Sequence, residues 1–519
     1  MEYDPQILRL NEAAAYVRVT EKTLRKMART NRVPCQRVGR EWRFPKQALD
    51  EWLAGKPVSL EGAPEIAEPQ GQAYLPQMKS FFEPNDKGFS DTGFTKNRQE
   101  PVHRWVPWIA GFSSAFVKDI LFRERESRTR LTVLDPFAGV GTTLIEAVRC
   151  GCEATGFEIN PYAALACQVK IEAFHRDPEE IRKLCKGFVR TLRNRVNNSG
   201  QEPRSIVPPG FKTRDPFFSP EVERHVLFVK DCMAEETQPW ARHLIAIALG
   251  SVLVGVSNYS YEPSLGRRVS AGKPEIRFAD LPGILEKKLL DMAADIELLQ
   301  QEMAGQTLSQ AHIYSESFME TAPARVKEGS VDVLITSPPY LNNYHYVRNT
   351  RPQMYWLDFV QESSDLNRME RKSFGKFWQT VRGNGVIPLS FPCLPIEEKL
   401  QELRSVRSER GPYGGPGWAN YAATYFNDCS HFCEIAAKLM VEDGLAVVVI
   451  GNNILQGIEF KTDEIFAEIA QGHGFAIEGL HRVRKKRTGS SIIHSSVRIG
   501  TAREKVELYE TAVALRKRG

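Results

Sequence analysis

The stretch Val331-Asp332-Val333-Leu334-Ile335 constrains this chain more than any other. A short β-branched, apolar run reads as a strand buried on both faces of a parallel sheet, which makes the body an α/β domain. The run ends in Thr336-Ser337-Pro338-Pro339-Tyr340. In open α/β sheets, ligands bind at the carboxyl edge of the strands. Two prolines fix the backbone there and donate no N–H. The Ser337 hydroxyl and the Pro338 carbonyl are then free to accept hydrogen bonds from an NH₂ group, and Tyr340 offers a flat face to a planar ring. An amine conjugated to a heterocycle is a poor nucleophile, because its lone pair is delocalised. Two acceptors aimed at its hydrogens draw the nitrogen towards a tetrahedral shape. The plainer reading is a Pro-Pro turn that closes a strand.

A second motif lies upstream. Leu131 to Asp135 reads as a strand, Pro136-Phe137-Ala138-Gly139-Val140-Gly141 as a tight loop, and Thr142 to Val148 as a helix. Glycines allow a ligand close to the backbone, and a helix N-terminus favours a carboxylate. A following strand, Ala154 to Phe157, ends in Glu158, 17 residues beyond Gly141. That is near the roughly 20 residues expected for an acid that holds ribose hydroxyls. A dinucleotide fingerprint would put a third glycine at position 144, where Leu144 stands.

Together the two motifs resemble those of amino-methylating DNA methyltransferases. Asp-Pro-Phe-x-Gly-x-Gly-Thr is similar to their S-adenosylmethionine loop, and Ser-Pro-Pro-Tyr to their catalytic motif, in the serine form of enzymes acting on cytosine N4. The resemblance implies a seven-stranded methyltransferase sheet and S-adenosyl-L-methionine as cofactor. It implies catalysis by Ser337, Pro338, Pro339 and Tyr340 on a base flipped from duplex DNA. Asp135 would face the cofactor's ammonium, Phe137 would pack on the loop, Glu158 would hold the ribose, and Asn160 would flank the adenine. Ala138, Gly139, Gly141, Thr142 and Ile159 complete that set. Glu316 stands near where the family often has Gly-Asp, and would meet the adenine amine. Asn97 and Arg104, in the segment before the first strand, would help cover the methionine end. Adenine N6 and an RNA base are alternative targets. A DNA-binding regulator or recombination accessory with an inactive methyltransferase fold is the rival from another class.

Charge sits at the ends. Residues 1–56 hold 12 Lys/Arg against 7 Asp/Glu, and the tail from His481 holds 11 against 3, so the middle is net acidic. This fits two polyanion contacts. In residues 1–56, a helix capped by Asn11, a second capped by Thr20, a hairpin around Gly39 and a closing helix with Trp52 as core anchor resemble the excisionase-type winged helix-turn-helix. Arg25, Lys26 and Arg29 on the second helix, and Arg37, Arg40 and Arg43 on the wing, are its candidate DNA contacts. A solvated face of a protein-docking module is the alternative.

Residues 57–94 read as a linker, 95–175 as the cofactor half of the core, and 311–519 as the catalytic half, with a second, mobile insertion at about 361–420. Ser337 lies 196 residues after Gly141, where three βα units need only about 90. The excess falls in 176–310, a helical insertion (178–196, 220–236, 240–258 and 281–303) that would recognise the target. Its loop at 259–268 carries Arg267 and Arg268, and reads either as a DNA contact or as an ordinary surface loop. Lys485, Lys486 and Arg487 form a phosphate-contacting loop or a solvated basic turn. Tyr425 to Met440 reads as a helix, and Phe475–Val483 with Lys505–Tyr509 as the closing antiparallel strands. The nine cysteines lack zinc spacing, so no metal is expected. Pro34-Cys35 lies before the cofactor loop and Pro392-Cys393 lacks a buried strand leading into it, so neither supports a covalent cysteine mechanism. No run of 18 apolar residues is present, and the N-terminus is acidic, so a cytoplasmic protein without membrane contact is expected. Its partners would be duplex DNA and a separately encoded restriction or defence protein.

Overall fold

The computed structural model describes residues 7–29, 33–38, 41–53, 97–108, 111–126, 130–261, 265–305, 308–341, 346–485 and 508–519. Two compact units emerge, Met1–Met78 and Lys79–Gly519.

The first unit runs β1 (Ile7–Arg9), α1 (Leu10–Tyr16), α2 (Glu21–Arg29), β2 (Gln36–Val38), β3 (Glu41–Pro45) and α3 (Lys46–Leu53). Its strands form one sheet in the order β1-β3-β2. Leu8, Ala13, Leu24, Ala28, Phe44 and Leu49 make the core, so the apolar stripes of both helices meet the inward face of the hairpin. Thr20 caps α2 by accepting from the Thr23 N–H (3.2 Å). Asn11 does not cap α1. The cap is Arg9, whose N–H is held by Glu12 Oε2 (2.7 Å), because β1 delivers the chain two residues earlier than the helical pattern suggested. The Trp52 side chain lies outside the described parts.

The second unit opens with α4 (Ser114–Arg125), β4 (Thr132–Asp135), α5 (Thr142–Arg149), β5 (Glu153–Phe157) and α6 (Pro161–Glu172). The insertion follows as α7 (Pro178–Asn197), α8 (Pro220–Glu235), α9 (Pro239–Val252), a small hairpin of β6 (Tyr259–Tyr261) and β7 (Leu265–Arg267), and α10 (Leu281–Glu302). Proline at the first helical positions starts α7, α8 and α9, with Asp177 and Ser219 as side-chain caps for the first two. The chain returns through β8 (Ala311–Tyr314), α11 (Phe318–Arg325) and β9 (Val331–Thr336). Then come α12 (Tyr346–Asn349), α13 (Arg351–Trp356), α14 (Ser363–Lys372), α15 (Trp378–Val381), α16 (Leu394–Ser405) and α17 (Gly415–Leu439). It ends with β10 (Met440–Gly451), β11 (Asn453–Leu455), β12 (Ile458–Phe460), α18 (Thr462–Gly472), β13 (Phe475–Lys485) and β14 (Tyr509–Lys517).

The expected seven-stranded sheet is present, in the order β13-β14-β10-β9-β4-β5-β8. Strands β8, β5, β4, β9 and β10 run parallel, and β14 is antiparallel to both its neighbours. Alternate residues enter opposite layers. Val133, Val333 and Val447 meet α4 and α5, while Leu134, Leu334 and Val448 meet α17. From β4 the chain winds outward through β5 to β8, then crosses back to β9 on the other side of β4. The β4–β9 boundary is therefore a topological switch point.

Three expectations are corrected. The last strand is Tyr509–Lys517, not Lys505–Tyr509, because Ala512 and Val513 are buried on opposite faces between β10 and β13. The helix expected from Tyr425 starts at Gly415, since Gly415, Gly417 and Trp418 are buried against preceding elements. Residues 361–420 are packed, not loose: Ile396, Leu400 and Leu403 of α16 are fully buried with α17.

The segment before α4 is bound by buried charge. Asp295 of α10 accepts from the Val102 N–H (3.0 Å), Arg104 Nε (3.0 Å) and Trp105 Nε1 (2.9 Å). Glu146, also fully buried, pairs with His103 and Arg149. Asn97 bonds to Phe112 O and the Ser114 N–H. Asn97 and Arg104 thus hold this segment to the body. Asp295→Ala would leave two buried donors unpaired, at about 1–3 kcal/mol each. Urea unfolding followed by circular dichroism should show a midpoint clearly below that of the wild type.

Candidate functional site

β4 and β9 end side by side, with Leu134 opposite Leu334, so their following loops leave the same edge of the sheet. Thr336, the last residue of β9, donates its hydroxyl to Asp135 Oδ1, the last residue of β4 (2.6 Å). The two sequence motifs are joined by that bond. Asp135 also accepts from Thr143 Oγ1 (2.6 Å) and the Phe137 N–H (3.1 Å). Burial pushes its carboxyl up to about 6, against the pull of these bonds.

A cleft with about 1060 Å³ of empty space, open solvent included, lies beyond this edge. The loop after β4 supplies Asp135, Phe137, Ala138, Gly139 and Thr142 to its wall, and the turn after β5 supplies Glu158, Ile159 and Asn160. Glu316 after β8 and Ser337 with Pro339 after β9 complete the sequence-derived part. Of the expected cofactor residues, Gly141, Asn97 and Arg104 are off the wall. The φ of Gly141 is +86°, and a Cβ there would sit 2.5 Å from Cys167 Sγ of α6. Glycine at 141 therefore serves the packing of α5 on α6. Gly139, at φ +51°, is the one whose added Cβ would press on the cavity wall, 3.2 Å from Trp108 Nε1.

Glu158 joins the walls. Its carboxylate accepts from the Gly139 N–H (2.9 Å) and the Asn160 N–H (2.7 Å), bridging the two cofactor-side turns. Burial raises its pKa to about 7. Asn160 caps α6 through its side-chain oxygen and donates to Thr350 Oγ1 (2.7 Å) beyond the catalytic loop. Glu316 lies on the wall with its carboxylate held by Arg325 (3.1 and 2.6 Å), which keeps its pKa below the usual range.

On the catalytic side, the Ser337 hydroxyl donates to Val449 O of β10 (3.1 Å). Tyr340 Oη lies 3.5 Å from the same oxygen; with the proton directed to Val449 O, the Ser337 lone pairs remain as acceptors. Pro338 is buried, and Tyr340 is half-buried against the α17 layer; neither is on the cavity wall. Several wall residues carried no sequence signal. Trp108 and Phe112 come from the segment before α4, Phe318 from α11, and Lys372 and Phe374 from the end of α14. Phe137 packs with Phe374 (5.2 Å) and Phe432 (5.9 Å).

The donor set suits a particular ligand. Asp135, Glu158 and Glu316 are acids, and Lys372 on the wall is paired with Glu320 (2.7 Å). Aromatic walls beside carboxylates fit a molecule with a planar ring, hydroxyl donors and positive charge.

The candidate DNA contacts are less complete. Arg25, Lys26 and Arg29 fall on α2, Arg37 on β2 and Arg43 on β3, but their side chains, and the whole of Arg40, lie outside the described parts. Lys485 ends β13; Lys486 and Arg487 lie outside the described residues. Arg267 is paired with Asp215 (2.7 Å), and Arg268 donates to Pro274 O (2.9 Å). Tyr259 and Tyr261 of the same hairpin bond to Asp215 O and Asn349 O, so the hairpin is built into the body.

Two tests follow from this geometry. Gly141→Ala should destabilise the chain by about 2–5 kcal/mol through left-handed strain and overpacking; adding Cys167→Ala should recover part of this in urea unfolding. Glu158 holds its proton more tightly folded than unfolded, so between pH 4.5 and about 7 the native state binds more protons and stability falls as pH rises. Melting curves of wild type and Glu158→Gln should therefore shift in favour of the variant from pH 5 to pH 8.

Comparison with known proteins gives the same direction. The family model described as a helix-turn-helix domain matches residues 7–57. The Type II methyltransferase M.AvaI of Nostoc sp. is 23% identical over 466 residues, covering 81% of this chain and 91% of that protein. M.BsoBI of Geobacillus stearothermophilus is 24% identical, covering 77% of this chain and 83% of its own. M.MvaI of Kocuria varians is 22% identical, covering 74% and 83%. A solved rRNA methyltransferase from Streptomyces viridochromogenes aligns over 79% of this chain with 8% identity and a TM-score of 0.28, too loose a likeness to build on. Over about four-fifths of its length this chain is thus similar to Type II methyltransferases, and a helix-turn-helix domain stands at its N-terminus.

Proposed function

We propose that this chain is an S-adenosylmethionine-dependent DNA methyltransferase that acts on the exocyclic N4 amine of cytosine in duplex DNA. One observation carries the reading. A Ser337 hydroxyl that can direct its proton to Val449 O stands on the wall of a cavity that Asp135 and Glu158 also line, with the two motifs bonded through Thr336. Similarity to Type II methyltransferases supports the methyl-transfer class, and the helix-turn-helix match supports DNA as the substrate.

S-adenosylmethionine, when bound, supplies a methyl group on a positively charged sulfur. Asp135 and Glu158 would hold its ammonium and ribose hydroxyls, while Phe137, Ile159 and the glycine turn would flank its body. Glu316 adds negative charge on the same wall. Ser337 Oγ and the Pro338 carbonyl accept from the two hydrogens of the target amine, leaving the nitrogen lone pair free to act as a nucleophile. The half-exposed Tyr340 ring receives the flipped base beside the cavity. Most of the rate enhancement in such a site comes from positioning and polarisation. A serine at 337 favours cytosine over adenine, following the resemblance of the motif. The N-terminal unit, excisionase-like in pattern, holds DNA through Arg25, Lys26, Arg29 and the wing arginines, with Lys485 to Arg487 as a second phosphate contact.

The test is methyl transfer by the full chain to duplex DNA, followed by digestion and mass spectrometry of the nucleosides. N4-methylcytosine is expected; N6-methyladenine alone would overturn the choice of base, and unmodified DNA would overturn the function. Ser337→Ala should slow transfer roughly 10- to 100-fold, the worth of a hydrogen bond to a group developing charge. Calorimetry should find its affinity for S-adenosylmethionine little changed.

A further inference from the structure

The search leads to the segment between the cavity lip and α17. Lys372 and Phe374 line the cavity, and within eight residues the chain reaches Trp378 and Arg382. The Arg382 guanidinium lies over Trp378 (4.5 Å) and over Tyr413 (4.2 Å), and donates to the Tyr413 hydroxyl (3.2 Å). No carboxylate pairs with it among the described residues. Trp378 stacks on Trp418 (5.1 Å, 23°), which meets Tyr421 (5.9 Å). Trp418 and Tyr421 belong to the same buried cluster as Leu341, which follows Ser337–Tyr340.

The loop that carries Arg382 is built, not loose. Buried Asn420 of α17 donates to Asn384 O and Gly385 O (both 3.0 Å) and accepts from the Ile387 N–H (3.1 Å). Gly383 and Gly385 have no neighbour within 4 Å of an added Cβ, and Val386 (73%) and Tyr413 (62%) are exposed. Residues 372–418 carry seven Lys/Arg against four Asp/Glu. A fixed, exposed loop of Arg-Gly-Asn-Gly-Val, flanked by aromatic rings and net basic, is suited to nucleic acid. Arginine held against two rings that meet at 71° can present the free part of its fork to guanine or phosphate, asparagine reads adenine, and aromatic faces receive unstacked bases.

We infer that the Arg382–Val386 loop, with Trp378 and Tyr413, contacts DNA beside the target base and contributes to site selection. This rests on the DNA methyltransferase reading above and adds a contact surface outside the 176–310 insertion. Arg382 is the principal contact, Asn384 a second, and Asn420 positions the loop from behind.

The experiment uses the full chain and a duplex that the wild type methylates, with Arg382→Ala, Asn384→Ala and Tyr413→Ala. Steady-state kinetics should show KM for DNA raised about tenfold in Arg382→Ala, with a smaller rise in Tyr413→Ala. S-adenosylmethionine affinity by calorimetry and the melting temperature should stay at wild-type values. Across variant target sites, Arg382→Ala or Asn384→Ala should relax preference at one position. Tyr413 is exposed, so its variant keeps the test valid should Arg382→Ala fail to fold. A KM for DNA and a site preference both within twofold of wild type in folded variants would overturn the inference and leave the patch to a protein partner. A wild type that methylates no duplex overturns the parent reading, and this inference falls with it.

Discussion

The hydrogen bond from Thr336 to Asp135 is the constraint on which the rest of the site depends. It forms because β4 and β9 are parallel neighbours that end in register, at the point where the chain reverses its direction of travel across the sheet. Ligands settle at such a point because the two following loops part and leave a crevice between them. Here the loops carry the two motifs of the sequence, 196 residues apart in the chain. A one-residue slip of β9 would turn Thr336 away from Asp135 and drive alternate strand residues into the wrong layer. The apolar alternation of Val333, Leu334 and Ile335 between two cores forbids that slip.

Around this bond the site is organised by the location of charge. Asp135 is buried and Glu158 half-buried, and their pKa values rise to about 6 and about 7, so the cavity holds acids poised close to neutrality. Their hydrogen bonds run mainly to backbone N–H and threonine hydroxyls, not to cations. A positively charged ligand would complete them. By contrast, the charges that carry architecture, Asp295 and Glu146, are satisfied by Arg104, His103 and Arg149 and stay out of the cavity. Buried ions of the first kind are available for function, whereas those of the second kind hold elements together.

The insertion and the segment 346–420 are tied into the same centre. Tyr261 bonds to Asn349 O, Gln353 to Gly250 O, and Asn160 to Thr350. The exit of the catalytic loop is thus held from the insertion on one side and from the cofactor-side turn on the other. This arrangement accounts for Arg267 and Arg268 facing internal partners: the hairpin they occupy is used for docking.

Local sequence determined much of this protein. Buried strands show as apolar β-branched runs, so 131–135, 331–335 and 445–450 were legible, as were the four insertion helices, although the third ends at Val252 and not at 258. The glycine loop and Glu158 were legible because close approach and strand-end acids leave short-range signatures. Tertiary structure decided what depends on distant neighbours. Gly141 proved to be a packing glycine because Cys167 comes from another helix, and Asn97 and Arg104 proved structural because Asp295 lies on α10. Trp108, Phe112 and Phe374 reached the cavity wall through the fold alone, and Tyr413 came to Arg382 from 31 residues along the chain, whereas Trp378 is its neighbour four residues before. Periodicity and spacing report on the residues within one element; which side chain from another element fills the space beside it is set only when the layers pack.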